Sequence, residues 1–370
     1  MNILYVCTII DTAHAFLQPH IEMLVRKGFT VELAANCANS LFFNKLRTKY
    51  RIHDIPFPRD ISMPQIIQSY KEIRRLIEAG EYDCVHVHTP IASFCTRIAC
   101  RGLKTKVIYT AHGFHFYRGA SFKNWLLYFP VEWYLSRYTD SLITINREDF
   151  QIARQVFKSA VVHYVSGVGV DTEGLFNVVA DRVSKRNEIG VPADAFLVLS
   201  VGELNENKNH RVVLEALADL RDPEIHYVVC GRGILMEKLQ NMVTECGLDG
   251  KVHFLGHRSD VVELMKAADV FVHPSFREGL PVAVMESMAV GLPVICSRSR
   301  GNIDLIEDKK GGYLIRPTDK NGLASAIAIM KANELIRKEM SKYNQVAIKK
   351  FDVKNVLLEL EQVYQDLLAW

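Results

Sequence analysis

Phe276-Arg277-Glu278-Gly279-Leu280-Pro281-Val282-Ala283-Val284-Met285-Glu286 sets two carboxylates eight positions apart across a strand-to-helix turn. The apolar run Asp269-Val270-Phe271-Val272-His273 before it reads as a buried strand. Pro281 through Val290 reads as a helix that opens at proline and is closed by Gly291. Glu278 then falls in the crevice at the strand's carboxyl end, and Glu286 follows about a turn and a half into the helix at ~3.6 residues per turn. The amides of Gly279 to Val282 offer donors to an anion at that helix start. Two acceptors beside a row of amides suit a ligand with both hydroxyls and phosphates, such as a nucleotide sugar. The plainer alternative has Glu278 capping the helix and Glu286 on its solvated face.

Outward from this stretch, short apolar strands alternate with amphipathic helices twice. The first half predicts strands over 2–7, 30–35, 51–55, 83–88, 106–110 and 141–145, with helices near 14–27, 64–79, 90–102 and 122–138. The second half predicts strands over 196–201, 225–230, 251–255, 269–273 and 293–296, with helices near 209–220, 234–246, 260–267 and 281–290. Such alternation calls for parallel sheets covered on both faces, hence an α/β chain of two doubly wound domains, 1–165 and 166–350. The glycine-rich Ser166-Gly167-Val168-Gly169-Val170-Asp171 marks the hinge. Residues 351–370 predict a helix whose stripe Val353, Val356, Leu357, Leu360, Val363, Tyr364 and Leu367 is buried by packing back on the first domain.

The bulk numbers agree with this plan. A chain of 370 residues exceeds one ordinary core, and 49% hydrophobic with 24% charged residues is the composition of a soluble globular protein. The net charge of +3 hides an asymmetry: residues 1–165 hold 20 Lys/Arg against 13 Asp/Glu, and the remainder 25 against 29. A basic first half points to an acidic partner, either a phosphate-bearing substrate or an anionic membrane surface. Arg97, Arg101, Lys104, Lys106, Arg118 and Lys123 fall within one short stretch of it. The following segment, 122–137, is apolar nearly all round and reads as a helix buried in the domain. No run approaches the ~18 apolar residues that span a bilayer, and the opening Met1-Asn2-Ile3-Leu4-Tyr5-Val6-Cys7 reads as a first strand. The expectation is a cytoplasmic protein, at most peripheral on the inner face of the cell membrane. The eight cysteines form no C-x-x-C pair and read as reduced, buried thiols. No nucleic-acid partner is expected.

Two further turns carry chemistry. The strand Phe196-Leu197-Val198-Leu199-Ser200-Val201 runs into Gly202-Glu203-Leu204-Asn205-Glu206-Asn207-Lys208. A glycine at a strand end admits a ligand to the backbone, and Lys208 adds a point charge where a helix start already favours an anion. Val228-Val229-Cys230-Gly231-Arg232-Gly233 ends the neighbouring strand in a second glycine turn, and Leu255-Gly256-His257-Arg258 ends a third.

These residues resemble glycosyltransferase family 4, the retaining enzymes of GT-B architecture, over essentially the whole chain. The nearest branch makes capsular and extracellular polysaccharides. The resemblance rests on the E-x7-E element Glu278 to Glu286, the G-x-L-x-x-x-K loop Gly202 to Lys208, the Gly231 to Gly233 turn, and Val170-Asp171 at the link. It implies two Rossmann-like domains facing a central cleft, the first (with the terminal helix) taking the acceptor and the second the donor. Glu278 would bind donor-sugar hydroxyls, Glu286 the ribose, and Lys208 the diphosphate. Gly202, Gly231, Gly233, Gly279, Leu280, Pro281 and Val282 would complete the donor site, and backbone near His257 and Arg258 would frame the base. His112, in Tyr109-Thr110-Ala111-His112-Gly113-Phe114-His115, matches the histidine that family members keep near the reacting sugar, so the resemblance names His112, Glu278 and Lys208 as catalytic. His14, Phe16 and His115 are the acceptor-side candidates.

Two departures stand out. The family usually has arginine at the position of Glu203, and Lys208 with the loop amides, or Arg277 or Arg298, would have to compensate. The loop expected after the first strand, Thr8 to Phe16, also lacks the glycine pair that many relatives place beside the phosphates. Asp-x-Asp is absent and no His/Cys cluster has metal spacing, which fits a cofactor-free, metal-independent transfer. The expected reaction moves a hexose or N-acetylhexosamine from a nucleotide sugar, UDP-linked by expectation, to a lipid-linked saccharide or glycan acceptor. A nucleotide-sugar epimerase of the same architecture is the alternative. A nicotinamide oxidoreductase is disfavoured by the lack of G-x-G-x-x-G with an acid ~20 residues on.

Overall fold

The computed structural model describes residues 1–159 and 161–369; the last residue of the predicted 351–370 helix lies outside them. The first sheet holds seven strands, β1 Asn2–Ile9, β2 Thr30–Asn36, β3 Arg51–Asp54, β4 Cys84–His88, β5 Lys106–Ala111, β6 Ser141–Thr144 and β7 Val161–Tyr164. Their order is β3-β2-β1-β4-β5-β6-β7 and every pairing is parallel. The second sheet is built from β8 Phe196–Val201, β9 Ile225–Cys230, β10 Val252–Gly256, β11 Val270–His273, β12 Val294–Ser297 and β13 Gly312–Ile315. Its order is β10-β9-β8-β11-β12-β13, again all parallel. Central strands such as β4, β9 and β11 are buried at every residue because helices cover both faces, which is why they read as continuous apolar runs. The chain order reverses beside β1 and β4 in one sheet and beside β8 and β11 in the other, and such switch points open crevices at the strands' carboxyl ends.

The chain divides into two compact units, Met1–Gly169 with the chain from Val353 on, and Val170–Asp352. The division lies a few residues beyond 165 for a local reason. The Ser166 amide and hydroxyl donate to the Glu359 carboxylate at 2.7 and 3.0 Å, tying this stretch to the terminal helix, whereas the Val170 amide donates to the Phe351 carbonyl at 3.1 Å in the second unit. The terminal helix Val353–Leu368 buries Val356, Leu360, Val363 and Tyr364 in the first unit. Each such side chain contributes ~1.5–3 kcal/mol when fully buried. Tyr364 also reaches the middle of the sheet, its hydroxyl 2.6 Å from Nδ1 of His86 on β4.

Three expectations are corrected here. The stretch after β1 is not a loop: the strand passes from Ile9 directly into helical turns, Ile10–Thr12, then a π-helical Ala13–Leu17, then Gln18–Arg26. A widened turn of this kind is frequent at functional sites. The helix Phe122–Leu135 is not buried all round. Trp125, Tyr128 and Phe129 pack on the core of the first unit, while Phe122, Leu126, Leu127, Val131 and Tyr134 are exposed. Both of its faces are apolar, so composition alone could not tell the inward face from the outward one. Arg97, counted among the clustered cations, is buried and spent on Glu132 at 2.7 Å, with its guanidinium 4.2 Å from the Tyr109 ring centroid.

Candidate active site

In the second unit, the loops that follow β8 and β11 meet at the switch point. They are stitched along their length. Asn207 Nδ2 donates to the Arg277 carbonyl at 3.0 Å, and the Phe276 amide donates to the Asn207 carbonyl at 2.9 Å. Asn209, held at φ +55°, donates from Nδ2 to the carbonyls of Pro274 and Pro317 at 3.1 and 2.8 Å. The Lys208 amide donates to Asn205 Oδ1 at 3.0 Å, which fixes the direction in which the lysine leaves the loop. Its stem runs over Gly202, where an added Cβ would lie 3.4 Å from Cδ and Cε.

This geometry brings Lys208 and Glu278 together: Nζ lies 2.7 Å from Oε1. The same carboxylate oxygen lies 2.9 Å from Nε2 of His273, the last residue of β11, and Ser275 Oγ lies 3.2 Å from that nitrogen. Burial alone would raise the Glu278 pKa, but the His273 hydrogen bond and the nearby Lys208 charge outweigh it and hold the carboxyl well below the usual range. Burial lowers the His273 pKa, so its ring is neutral and donates Nε2–H to the carboxylate. Glu278 is therefore an ionised acceptor with one oxygen clamped, while Oε2 has no hydrogen-bond partner among the described residues.

Glu286 differs. It sits in the helix Val282–Ala289, whose N-cap is Pro281, and its carboxyl has no side-chain partner among the described residues. Burial pushes its pKa up to about 7. A desolvated carboxylate without donors is an incomplete site that ligand hydroxyls would complete. The amides of Val282 and Ala283 have no carbonyl one turn back within the helix, which leaves them to an incoming anion, whereas that of Val284 already donates to the Pro281 carbonyl at 3.2 Å. Behind them, Arg300 Nε donates to the Glu278 carbonyl at 3.2 Å, and Gly301, at φ +78°, packs against the Gly279 backbone.

The other predicted donor residues divide. Gly231 and Gly233 are required for packing between loops: a Cβ at Gly231 would run into the Gly202 carbonyl oxygen, and one at Gly233 into that of Leu204. The Leu204 amide donates to the Arg232 carbonyl at 3.0 Å across this contact. His257 is exposed. The Arg258 side chain is engaged elsewhere, donating to the Asp260 carboxylate at 2.7 and 2.6 Å and to Glu188. Glu203 is exposed and accepts from Asn205 Nδ2 at 3.0 Å. Of the two cations considered as compensation, Arg298 is paired with Asp308 at 2.6 Å, while Arg277 has no acidic partner among the described residues.

In the first unit, His112 follows β5, and its Nε2 lies 3.0 Å from Nδ1 of His88, the last residue of β4. Burial, with the nearby His20, pushes the His112 pKa down to about 4, so the ring is neutral. His88 is also neutral for the same first reason, and its ring stacks on Tyr5 and His86 at 5.0 and 4.3 Å between centroids. Two neutral imidazoles in this contact divide the roles, one donating and the other accepting. Next along the chain, Thr89 is held at φ +67°, an outlier for a β-branched residue, with Oγ1 2.7 Å from Thr8 Oγ1. The loop after His112 is fixed from the helix Arg147–Val156: the Phe114 amide donates to Asp149 at 3.0 Å and the Arg118 amide to Glu148 at 2.6 Å. His115 lies against Tyr128 with ring centroids 4.5 Å apart and the planes tilted by 30°. His14, in the π-helical turn, stacks on Phe42 at 4.1 Å and leaves a buried Nδ1 without a partner among the described residues, while Phe16 is exposed. Sequence reasoning missed His88, His273, Thr89 and Asp149.

Comparison with known proteins places this geometry. Residues 20–173 match the family described as Glycosyltransferase Family 4, and residues 181–347 that described as Glycosyl transferases group 1. EpsD of Bacillus subtilis (strain 168), which bears a glycosyltransferase name, is 35% identical over 99% of this chain and 97% of its own. A UDP-Gal:alpha-D-GlcNAc-diphosphoundecaprenol alpha-1,3-galactosyltransferase of Escherichia coli is 28% identical over 94% of this chain and 92% of its own. The crystal structure of Anabaena Alr3699/HepE in complex with UDP superposes with a TM-score of 0.82 at 21% identity, over 99% of this chain and 100% of that one. Two parallel-sheet units with paired switch-point loops, and a full-length relative above 30% identity, make the chain a member of glycosyltransferase family 4 with the GT-B fold.

Proposed function

We propose that this glycosyltransferase moves a hexose or N-acetylhexosamine from a UDP-linked donor, with retention of configuration, to a lipid-linked saccharide or glycan acceptor in cell-surface polysaccharide synthesis. The observation that carries the reading is Glu278: an ionised carboxylate with Oε1 held by Lys208 and His273 and Oε2 open to a sugar hydroxyl. Glu286 accepts from the ribose hydroxyls. Lys208, the amides after Gly279 and the cation of Arg277 face the diphosphate, and Arg277 compensates for Glu203. In this metal-independent scheme those donors stabilise the departing nucleoside diphosphate, as fixed dipoles and charges do where charge develops. The acceptor lies toward His112, with His14, Phe16 and His115 contributing contacts. The lipid-linked acceptor is supported by the E. coli relative, whose name carries a diphosphoundecaprenol acceptor, and UDP by the HepE complex. No helix of the described chain is long and apolar enough to cross a membrane, so the enzyme would meet such an acceptor from the cytoplasmic side as a peripheral protein.

The test is turnover of UDP-hexoses and UDP-N-acetylhexosamines with and without a diphospholipid-linked acceptor, with the product's anomeric configuration read by NMR. Acceptor-dependent release of UDP and an axial product linkage from an axial donor are expected. Conversion of the donor without acceptor would make the protein an epimerase instead.

A further inference from the structure

The outward face of the helix Phe122–Leu135 is apolar from Leu126 on, with Lys123 on the same face in the first turn. Phe122, Leu126, Leu127 and Tyr134 are 79%, 66%, 55% and 43% exposed, and Val131 is exposed beside them. At ~100° per residue these positions, with Pro130, share one half of the helix surface, a face ~20 Å long at 1.5 Å per residue. Surface helices ordinarily carry charges there, and a contiguous exposed apolar patch marks an interaction site. The helix's only acid, Glu132, is turned inward onto Arg97 at 2.7 Å.

The charges that remain are positive and lie at the edges. Lys123 is exposed at one end. At the other, a cavity of about 290 Å³ is lined by Arg101, Arg137, Lys158, Tyr138 and Asp140. Aromatic rings hold these cations in place: Arg137 and Lys158 lie 4.6 and 5.3 Å from the Trp133 centroid, and Arg101 lies 5.7 Å from that of Tyr138. None of the three has a carboxylate partner among the described residues, because Asp140 is taken by Lys106 at 3.2 Å and the Val107 amide at 2.9 Å. An apolar stripe beside Trp, Tyr and clustered cations has the composition of a surface that lies in a bilayer interface, with acyl chains against the stripe and phosphates against the cations.

We propose that this helix face and the adjoining basic cavity form a docking surface for an anionic phospholipid bilayer, the cavity receiving a headgroup phosphate. The inference deepens the proposed use of a lipid-linked acceptor and rests on that reading for its purpose. Charge complementarity selects the occupant: a second copy of this chain would set like charges at the stripe's edges against one another, whereas an anionic leaflet pairs with them.

The experiment is co-sedimentation of the full chain with phosphatidylcholine vesicles carrying increasing phosphatidylglycerol. Binding should rise with the anionic fraction and fall with salt. The double variant Leu126→Asn/Leu127→Asn should partition about tenfold less or lower, and Arg101→Gln/Arg137→Gln about 25-fold less, at roughly fivefold per charge removed. Both variants should bind UDP as the wild type does, which checks that they fold. Absence of binding, equal binding to neutral vesicles, or variants that bind like the wild type would overturn the proposal. So would a wild-type dimer that the leucine variant dissociates, since a second copy would then cover the face. Transfer to a water-soluble, short-chain acceptor analogue separates the two readings. Vesicle binding without any transfer would refute the enzymatic reading alone, and transfer without vesicle binding would refute this one alone.

Discussion

The Lys208 ammonium and the Glu278 carboxylate, 70 positions apart in the chain, meet at 2.7 Å because β8 and β11 are neighbours in the second sheet. The contact makes each residue's loss unequal. Lys208→Ala removes a charge from the diphosphate site and should weaken UDP binding by ~1.5–3 kcal/mol, the range of a charge-assisted hydrogen bond. Glu278→Ala releases the lysine from its partner, so UDP affinity should hold or tighten while turnover falls by ~10²–10³. Calorimetry and steady-state rates on the two variants check this. Equal losses of UDP affinity in both would show that the pair acts as one unit on the nucleotide.

Glu286 predicts a trade between stability and binding. A carboxyl whose pKa rises on folding contributes most to stability while protonated, below its unfolded value of 4.5, and loses that contribution as pH rises through about 7. The ionised, unpartnered form thus costs on the order of 3 kcal/mol above neutrality. Glu286→Gln should melt several degrees higher than the wild type at pH 8 and show little difference at pH 5. Ribose hydroxyls would bind the ionised form, so wild-type UDP affinity should rise from pH 6 to 8 with proton release, and the glutamine variant should lose both the affinity and its pH dependence. A wild-type affinity flat across this range would remove Glu286 from the nucleotide site.

Acid should act on Glu278 in the opposite sense. Its folded pKa is depressed, so its contribution is present above the unfolded value of 4.5 and is lost as pH falls below it. Glu278→Gln should therefore flatten the loss of stability between pH 4.5 and 3, measured by urea unfolding. An unchanged acid limb would mean that other carboxylates dominate it.

The sequence made the central strands legible because burial on both faces leaves continuous apolar runs. It hid the edges: Val161–Tyr164 and Gly312–Ile315 are four-residue strands at the ends of their sheets, and the latter opens on glycine. The carboxylate pair and Lys208 were readable from local spacing. Their partners were not. His88 meets His112 only because β4 and β5 pair with His88 opposite Thr110, and a parallel register leaves no mark in either strand's own sequence. His273 looked like the end of a strand, and only the return of the loop turns its ring toward Glu278. The glycines of the Gly231 turn were visible, but their reason is the neighbouring loop's backbone.

His112 and His88 give a test of positioning. With its pKa pushed down to about 4, His112 stays neutral from pH 5.5 to 8, so turnover should carry no inflection from it in that range. His112→Ala should cost ~10²–10³ in kcat with UDP affinity intact. His88→Phe preserves the ring stack and removes the hydrogen bond, and should cost ~10-fold in kcat. His88→Asn, which restores a polar group near Nδ1, should recover part of that loss. A His88→Phe variant with full turnover, or one that His88→Asn does not improve, would reduce His88 to a packing residue.

Gly301 offers the sharpest separation of backbone strain from contact. At φ +78° any side chain is strained, and a Cβ there would also run into the Gly279 carbonyl oxygen. Gly247, at φ +66° in the same unit, has nothing within 4 Å of its would-be Cβ and so reports strain alone. Gly247→Ala should therefore cost ~1 kcal/mol in urea unfolding and leave UDP binding unchanged. Gly301→Ala should cost more, ~2–3 kcal/mol, because relieving the clash displaces the backbone between Glu278 and Pro281. The amides after Gly279 and the open oxygen of Glu278 move with it, so UDP affinity should fall about tenfold or more as well. Equal stability losses in the two variants would mean that the loop yields without cost. An intact UDP affinity in Gly301→Ala would mean that the nucleotide does not rest on this turn, whatever the stability change.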